Sequence, residues 1–135
     1  MIEMQEVNWT DIEEIIKKLS KRVLELNQTF SSISTVSRGG LIPSRLIADV
    51  LNIKKIYVDQ NKISSDSLFV DDIFDSGKTF NDVLLRVDDG SKFIFATLYA
   101  RRGMTYPKQL IYGEKTFDSS YVVFPWDRLE FKNNN

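Results

Sequence analysis

The sequence predicts an α/β domain, a central and mostly parallel sheet with helices on both faces. Three observations lead there. Short apolar runs of strand length alternate with segments whose apolar residues recur every three or four positions. The two most distinctive glycine-bearing loops fall where such a run gives way to a helical pattern. No repeat, linker or low-complexity stretch interrupts the 135 residues, so residues 1–135 are expected to form one domain that buries roughly two-thirds of its unfolded surface.

Thr10 and Glu13 have the spacing of a capping box, and Ile12, Ile15, Ile16, Leu19, Val23 and Leu26 then mark one helical face running to about Asn27. Ile33–Val36 reads as a buried strand. Ser37-Arg38-Gly39-Gly40 is a loop, and Pro43 suits the first turn of a helix carrying Leu46, Ile47, Val50 and Leu51. Ile56–Asp59 is a third apolar run, followed by a polar connection at Gln60–Asp66. Ser67–Val70 reads as a strand ending in Asp71-Asp72-Ile73-Phe74-Asp75-Ser76-Gly77-Lys78-Thr79, after which Phe80, Val83, Leu84 and Val87 give a helix. Phe93–Tyr99, the longest apolar run, is the best candidate for a central strand. The remainder is less regular, with short strands expected at Gln109–Tyr112 and Tyr121–Phe124 and fraying at Asn133–Asn135.

Composition narrows the chemistry. With 18 Lys and Arg against 19 Asp and Glu, the net charge is −1, which disfavours a nucleic-acid module. The chain has no Cys and no His, which excludes a thiol nucleophile, a Ser-His-Asp triad, a disulfide and an ordinary zinc site. A metal here would be a hard cation on oxygen ligands, Mg²⁺ first. No apolar run reaches a membrane span, and a cytoplasmic protein is expected.

The acidic loop is the most informative segment. Backbone N–H groups from Asp75 to Thr79, with the Ser76 and Thr79 hydroxyls, suit a phosphate at a helix start. Asp71 and Asp72 suit a sugar diol or a divalent ion. Gly77-Lys78-Thr79 matches the end of a Walker A loop, but Asp72 stands where that loop needs its first Gly. Asp71, Asp72 and Asp75 also fit the DDxxD pattern of prenyl-chain synthases, which are larger and all-helical. The plainest alternative is an acidic turn capping a helix.

The segment resembles the phosphoribosyl-diphosphate signature of type I phosphoribosyltransferases. Val36-Ser37-Arg38-Gly39-Gly40-Leu41-Ile42-Pro43 resembles the pyrophosphate loop of bacterial xanthine–guanine members, and Phe124-Pro125-Trp126-Asp127 resembles their base-binding end. The likeness spans roughly residues 30 to 128. It implies a fold with a small C-terminal hood and Mg²⁺-dependent transfer of ribose 5-phosphate from phosphoribosyl diphosphate to a purine, releasing pyrophosphate.

By the same resemblance, Asp71 and Asp72 bind the ribose hydroxyls and meet Mg²⁺ directly or through the diol. Asp75, Ser76, Gly77, Lys78 and Thr79 hold the 5′-phosphate, and Ser37, Arg38, Gly39 and Gly40 hold the pyrophosphate. Asp75 is also placed as a general acid–base near N7 of the base. Arg101 is placed at the 6-oxo group, with Tyr121 stacking on the ring and Val122 giving backbone contacts. An ordinary surface role for Arg38, and packing roles for Tyr121 and Trp126, are the competing assignments. A homodimer or larger homo-oligomer is a family expectation.

The sequence departs from the family at the catalytic loop. Only Gln60–Asp66 stands where type I enzymes carry a long mobile lid. Three readings result: a purine phosphoribosyltransferase of nucleotide salvage, a non-catalytic sensor of the diphosphate or a nucleotide on the same fold, or a pyrimidine or other non-purine transferase, which the Pro-Trp-Asp tail disfavours.

Overall fold

A computed structural model describes residues 3–134. Strands β1 (Met4–Glu6), β2 (Ser32–Thr35), β3 (Ile56–Val58), β4 (Ser67–Phe74), β5 (Phe95–Ala100), β6 (Leu110–Lys115) and β7 (Tyr121–Val123) alternate with helices α1 (Trp9–Leu24), α2 (Leu41–Leu51) and α3 (Lys78–Leu84). A 3₁₀ turn at Pro125–Asp127 leads into α4 (Arg128–Asn134). The main sheet has the order β3-β2-β4-β5-β6, and every adjacent pair is parallel. β1 and β7 form a separate parallel pair, Met4 opposite Tyr121.

The buried strands separate their side chains by alternation. Leu68, Val70, Ala96 and Leu98 face a core completed by Ile12, Ile15 and Leu19 of α1 and Ile47 of α2. Phe69 and Phe95 face the opposite way and stack at 5.1 Å, within a second core that includes Phe80 and Val83 of α3. Complete burial of each such aromatic contributes about 1.5–3 kcal/mol. Helices therefore cover both faces, as the alternating pattern implies.

Several boundaries differ from the sequence reading. α1 starts at Trp9 because Asn8, rather than Thr10, forms the reciprocal cap. The Asn8 side chain accepts from the Asp11 amide at 2.8 Å, and the Asp11 carboxylate accepts from the Asn8 amide at 3.0 Å. α1 stops at Leu24, short of Asn27, whose φ is +53°. α2 starts at Leu41, two residues before Pro43. The Phe93–Tyr99 run supplies β5, an interior strand between β4 and β6 with all six residues buried, as expected of a central strand, and β4 is the middle one of the five. β4 also continues through the acids to Phe74, because Asp71, Ile73 and Phe74 extend the ladder opposite Thr97, Tyr99 and Ala100. The tail is more regular than expected. Asn133 and Asn134 belong to α4 rather than fraying, whereas Asn135 lies outside the described residues. Among those residues no helix is long and apolar enough to cross a membrane.

Candidate active site

From β2 the chain passes through α2 to β3 on one side of the sheet. From β4 it passes through α3 to β5 on the other. The strand order reverses between β2 and β4, and a crevice at such a reversal, beyond the carboxyl ends of the strands, is where open parallel sheets bind ligands. Residues 36–40 follow β2 and residues 75–77 follow β4, so both glycine-bearing loops flank that crevice.

The loop after β2 lies directly against the acids. A Cβ on Gly39 would stand 2.8 Å from Asp72 Oδ2, and one on Gly40 would overlap Thr35 Oγ1 and come within 2.7 Å of the Val70 carbonyl oxygen. Glycine is thus required twice for backbone approach. The Ser37–Arg38 peptide is cis. The Ser37 amide donates to Asp59 Oδ1 at 2.9 Å and its hydroxyl to Asp59 Oδ2 at 2.5 Å, fixing the loop to the end of β3. These bonds from Ser37 hold the Asp59 carboxyl below its usual range. Arg38 is exposed, and its Nη2 donates to Glu130 Oε2 of α4 at 2.7 Å.

Asp71 is 6% exposed. Its Oδ1 accepts from the Asp72 amide at 2.8 Å, and Asp72 Oδ1 accepts from the Ile73 amide at 2.8 Å. Burial, and then the neighbouring Asp72 carboxylate, push the Asp71 carboxyl up to about 8; burial also raises Asp72. The pair stores unfavourable desolvation that a cation or a hydroxyl-rich ligand would relieve. Among the described residues, no group of three or more carboxylates could hold a metal ion. A hard cation here would take two carboxylates from the chain and complete its shell with ligand oxygens and water, which suits Mg²⁺.

Next to the acids is a cavity of about 170 Å³ lined by Asp71–Phe80 and Phe95. Gly77, with φ +89°, makes the left-handed turn into α3, and the Phe74 ring packs beneath it. The Ser76 hydroxyl accepts from the Lys78 amide at 3.3 Å. Lys78 and Thr79 occupy the first turn of α3, which opens onto the cavity.

The residues assigned to the base come together at the ends of β5 and β7. Arg101 Nε donates to Asp75 Oδ1 at 3.0 Å and Nη2 to Oδ2 at 3.4 Å, while Nη1 donates to the carbonyls of Asp118 (3.1 Å) and Ser120 (2.8 Å). The cation assigned to the 6-oxo group therefore grips the assigned acid–base, and ties the acidic loop to the hood. Tyr121 is 54% exposed and stacks on Phe131 of α4 at 5.5 Å. Val122 is buried in the core, paired with Gln5 of β1. Trp126 packs with Phe124 at 5.0 Å and Trp9 at 5.8 Å, as its packing assignment requires.

The Gln60–Asp66 segment is fastened along much of its length rather than free to flap. Ile63 is buried and bridges to Val87, the Ser65 amide donates to Asp88, and Arg86 donates to the Gln60 carbonyl. Those partners lie beyond α3, at its end far from the crevice.

Asp59 and Glu130 also belong to the cluster of site residues, and Asp127, which the resemblance places only within the Pro-Trp-Asp motif, joins them. Asp127 is pushed up to about 6 by burial, then by Asp72 and Glu130, with Arg38 acting the other way, so it faces the same cluster. Its presence in the Pro-Trp-Asp motif was the available signal; Asp59 and Glu130 carried none.

Comparison with known proteins agrees with this architecture. No family model matches the chain. Xanthine-guanine phosphoribosyltransferase of Chromohalobacter salexigens is 29% identical over 140 residues, covering 90% of this chain and 82% of that protein. The Helicobacter pylori xanthine-guanine-hypoxanthine phosphoribosyltransferase structure superposes with a TM-score of 0.74 at 19% identity, over 98% of this chain and 99% of that one. A hypothetical protein of Neisseria gonorrhoeae with bound ppGpp gives 0.71 at 20% identity, over 100% and 95%. The chain has the type I phosphoribosyltransferase fold, and its sequence is related to the 6-oxopurine phosphoribosyltransferases of that superfamily.

Proposed function

We propose that the chain, acting as one unit over residues 1–135, transfers ribose 5-phosphate from phosphoribosyl diphosphate to a 6-oxopurine and releases pyrophosphate. The observation that carries this reading is the apposition of the Gly39 backbone with the half-buried Asp72, next to the buried Asp71, across the strand-order reversal. A pyrophosphate loop and a ribose-binding acid pair must meet in this way for one ligand to span both.

In this reading Asp71 and Asp72 accept hydrogen bonds from the ribose hydroxyls. The Asp75–Thr79 loop holds the 5′-phosphate at the start of α3. The Gly39 backbone and Arg38 contact the pyrophosphate, and Arg38 offsets the charge that grows on it as the glycosidic bond breaks. Asp71 and Asp72 are the residues that would hold Mg²⁺, which when bound would neutralise diphosphate charge. Asp75, oriented by both arms of Arg101, receives or returns the proton at N7. Tyr121 offers its ring to the base and Val122 its backbone. A homo-oligomer is the expected working form.

A second reading, a non-catalytic sensor of the diphosphate or of a guanine nucleotide, is favoured by the fastening of residues 60–66, which leaves no flap there to exclude water. One experiment separates the two. Mg²⁺–phosphoribosyl diphosphate is incubated with guanine, hypoxanthine, xanthine, adenine, uracil and orotate, and nucleotide and pyrophosphate are measured. Nucleotide from a 6-oxopurine supports the transferase. Donor or nucleotide binding without product supports the sensor, and binding of neither overturns both.

A further inference from the structure

α4 follows the Pro-Trp-Asp turn and reaches back over the crevice. Its Glu130 carboxylate is paired with Arg38, the one cationic side chain of the loop assigned to pyrophosphate. Its Phe131 ring lies on Tyr121, the aromatic assigned to the base, at 5.5 Å and 25° between planes. One short helix thus presents an anion to the anion site and a flat ring to the ring site, on consecutive residues.

Of the apolar side chains of the helix, Phe131 is half-buried. Leu129 is 71% exposed, and both members of the Arg38–Glu130 pair are more than half exposed. Between α4 and the start of α2 lies a cavity of about 580 Å³, lined in part by Leu41, Ile42 and Leu129, which leaves the helix room to move.

We infer that α4 is a built-in competitor for the active site. Glu130 occupies the pyrophosphate's place on Arg38 and Phe131 the base's place on Tyr121, so ligands enter by displacing the helix. This rests on the transferase reading's placement of Arg38 and Tyr121. It also provides an element that shields the crevice between turnovers without a lid from residues 60–66.

The test uses full-length chains carrying Glu130→Ala or Phe131→Ala, with folding checked by circular dichroism. Calorimetry measures affinity for Mg²⁺–pyrophosphate and for GMP. Glu130→Ala should tighten pyrophosphate about two- to fivefold, the range of an exposed ion pair, and tighten GMP as well, because the helix leaves as a unit. Phe131→Ala should tighten GMP about two- to tenfold, the range of an aromatic pair, and tighten pyrophosphate as well. In the wild type, saturating pyrophosphate and GMP together should accelerate tryptic cleavage after Lys132. Weaker binding in either variant would make α4 a closing lid instead, and unchanged affinities would make it a bystander; both overturn the inference while the transferase reading stands. If neither ligand binds any of the three proteins, the transferase reading falls and the inference with it.

Discussion

Replacing Asp71 with Asn should stabilise the ligand-free protein, and increasingly so as pH rises. The hydrogen bond survives the change, because the Asn carbonyl can accept from the Asp72 amide as Oδ1 does now at 2.8 Å. What disappears is a buried charge. The Asp71 carboxyl is raised to about 8, chiefly by burial, so the folded state favours its protonated form. Below the unfolded-state value of about 4 both states are protonated, and the carboxyl behaves like the amide. As pH rises, the unfolded chain ionises first and the native state loses stability, at most about 1.4 kcal/mol per pH unit for one proton. The loss is complete once the folded group ionises near 8. Over a rise of about four units the ceiling is on the order of 5 kcal/mol, with Asp72 sharing the charge and reducing it. Urea denaturation of both proteins from pH 4 to pH 9 measures the difference. The two should match at pH 4, and the variant should lead by several kcal/mol at pH 9. A difference independent of pH, or a variant weaker at pH 9, would show that the pair is not buried as charge.

Asp71→Asn with Asp72→Asn should reduce donor affinity tenfold or more, while Asp75→Asn mainly lowers turnover of the bound complex; equilibrium binding and single-turnover rates measure both. Gly40→Ala should cost about 1–3 kcal/mol by denaturant titration, because its Cβ meets the Thr35 hydroxyl and a strand carbonyl, whereas Gly39→Ala should cost less, because only the Asp72 carboxylate has to shift, and should weaken donor binding through that shift. Arg101→Ala should weaken base affinity and turnover more than donor affinity, and Lys should rescue poorly, since one ammonium cannot hold Asp75 and two hood carbonyls together. Chelation with EDTA should abolish product formation and sharply reduce donor binding, both restored by added Mg²⁺.

The clustering of the residues assigned to phosphate was readable in the sequence because its contacts are local. Asp71 to Thr79 is one strand end and one turn, and glycine spacing reports backbone approach. Fold class was readable for a related reason, since the period-two and period-four patterns directly reflect which faces are buried. The base-facing half was only partly readable. Arg101 and Asp75 could each be assigned a role, but their mutual grip depends on the side-by-side register of β4 and β5. α4 carries no strong helical pattern, and its position comes from pairing with Arg38 and Tyr121, 92 positions away in the case of Arg38. Asn8 displaced Thr10 as the cap because both residues present a suitable oxygen, and only the backbone shows which one bonds.

The pairing of β1 with β7 gives the two halves of the crevice different durability. The hood strand is held at its edge by a three-residue strand, and the Gln5 side chain accepts from the Phe117 amide across 112 positions. Closing a loop of that length costs roughly 4 kcal/mol of chain entropy beyond the constant term. The cradle formed by β2 and β4 closes far shorter loops and is lined by the best-packed strands. Thermal fluctuation should therefore release the hood while the cradle persists, and amide exchange at Tyr121–Val123 should run faster than at Leu68–Val70. Under the proposed transferase function, a molecule in that state would still hold phosphates but would no longer distinguish one ring from another.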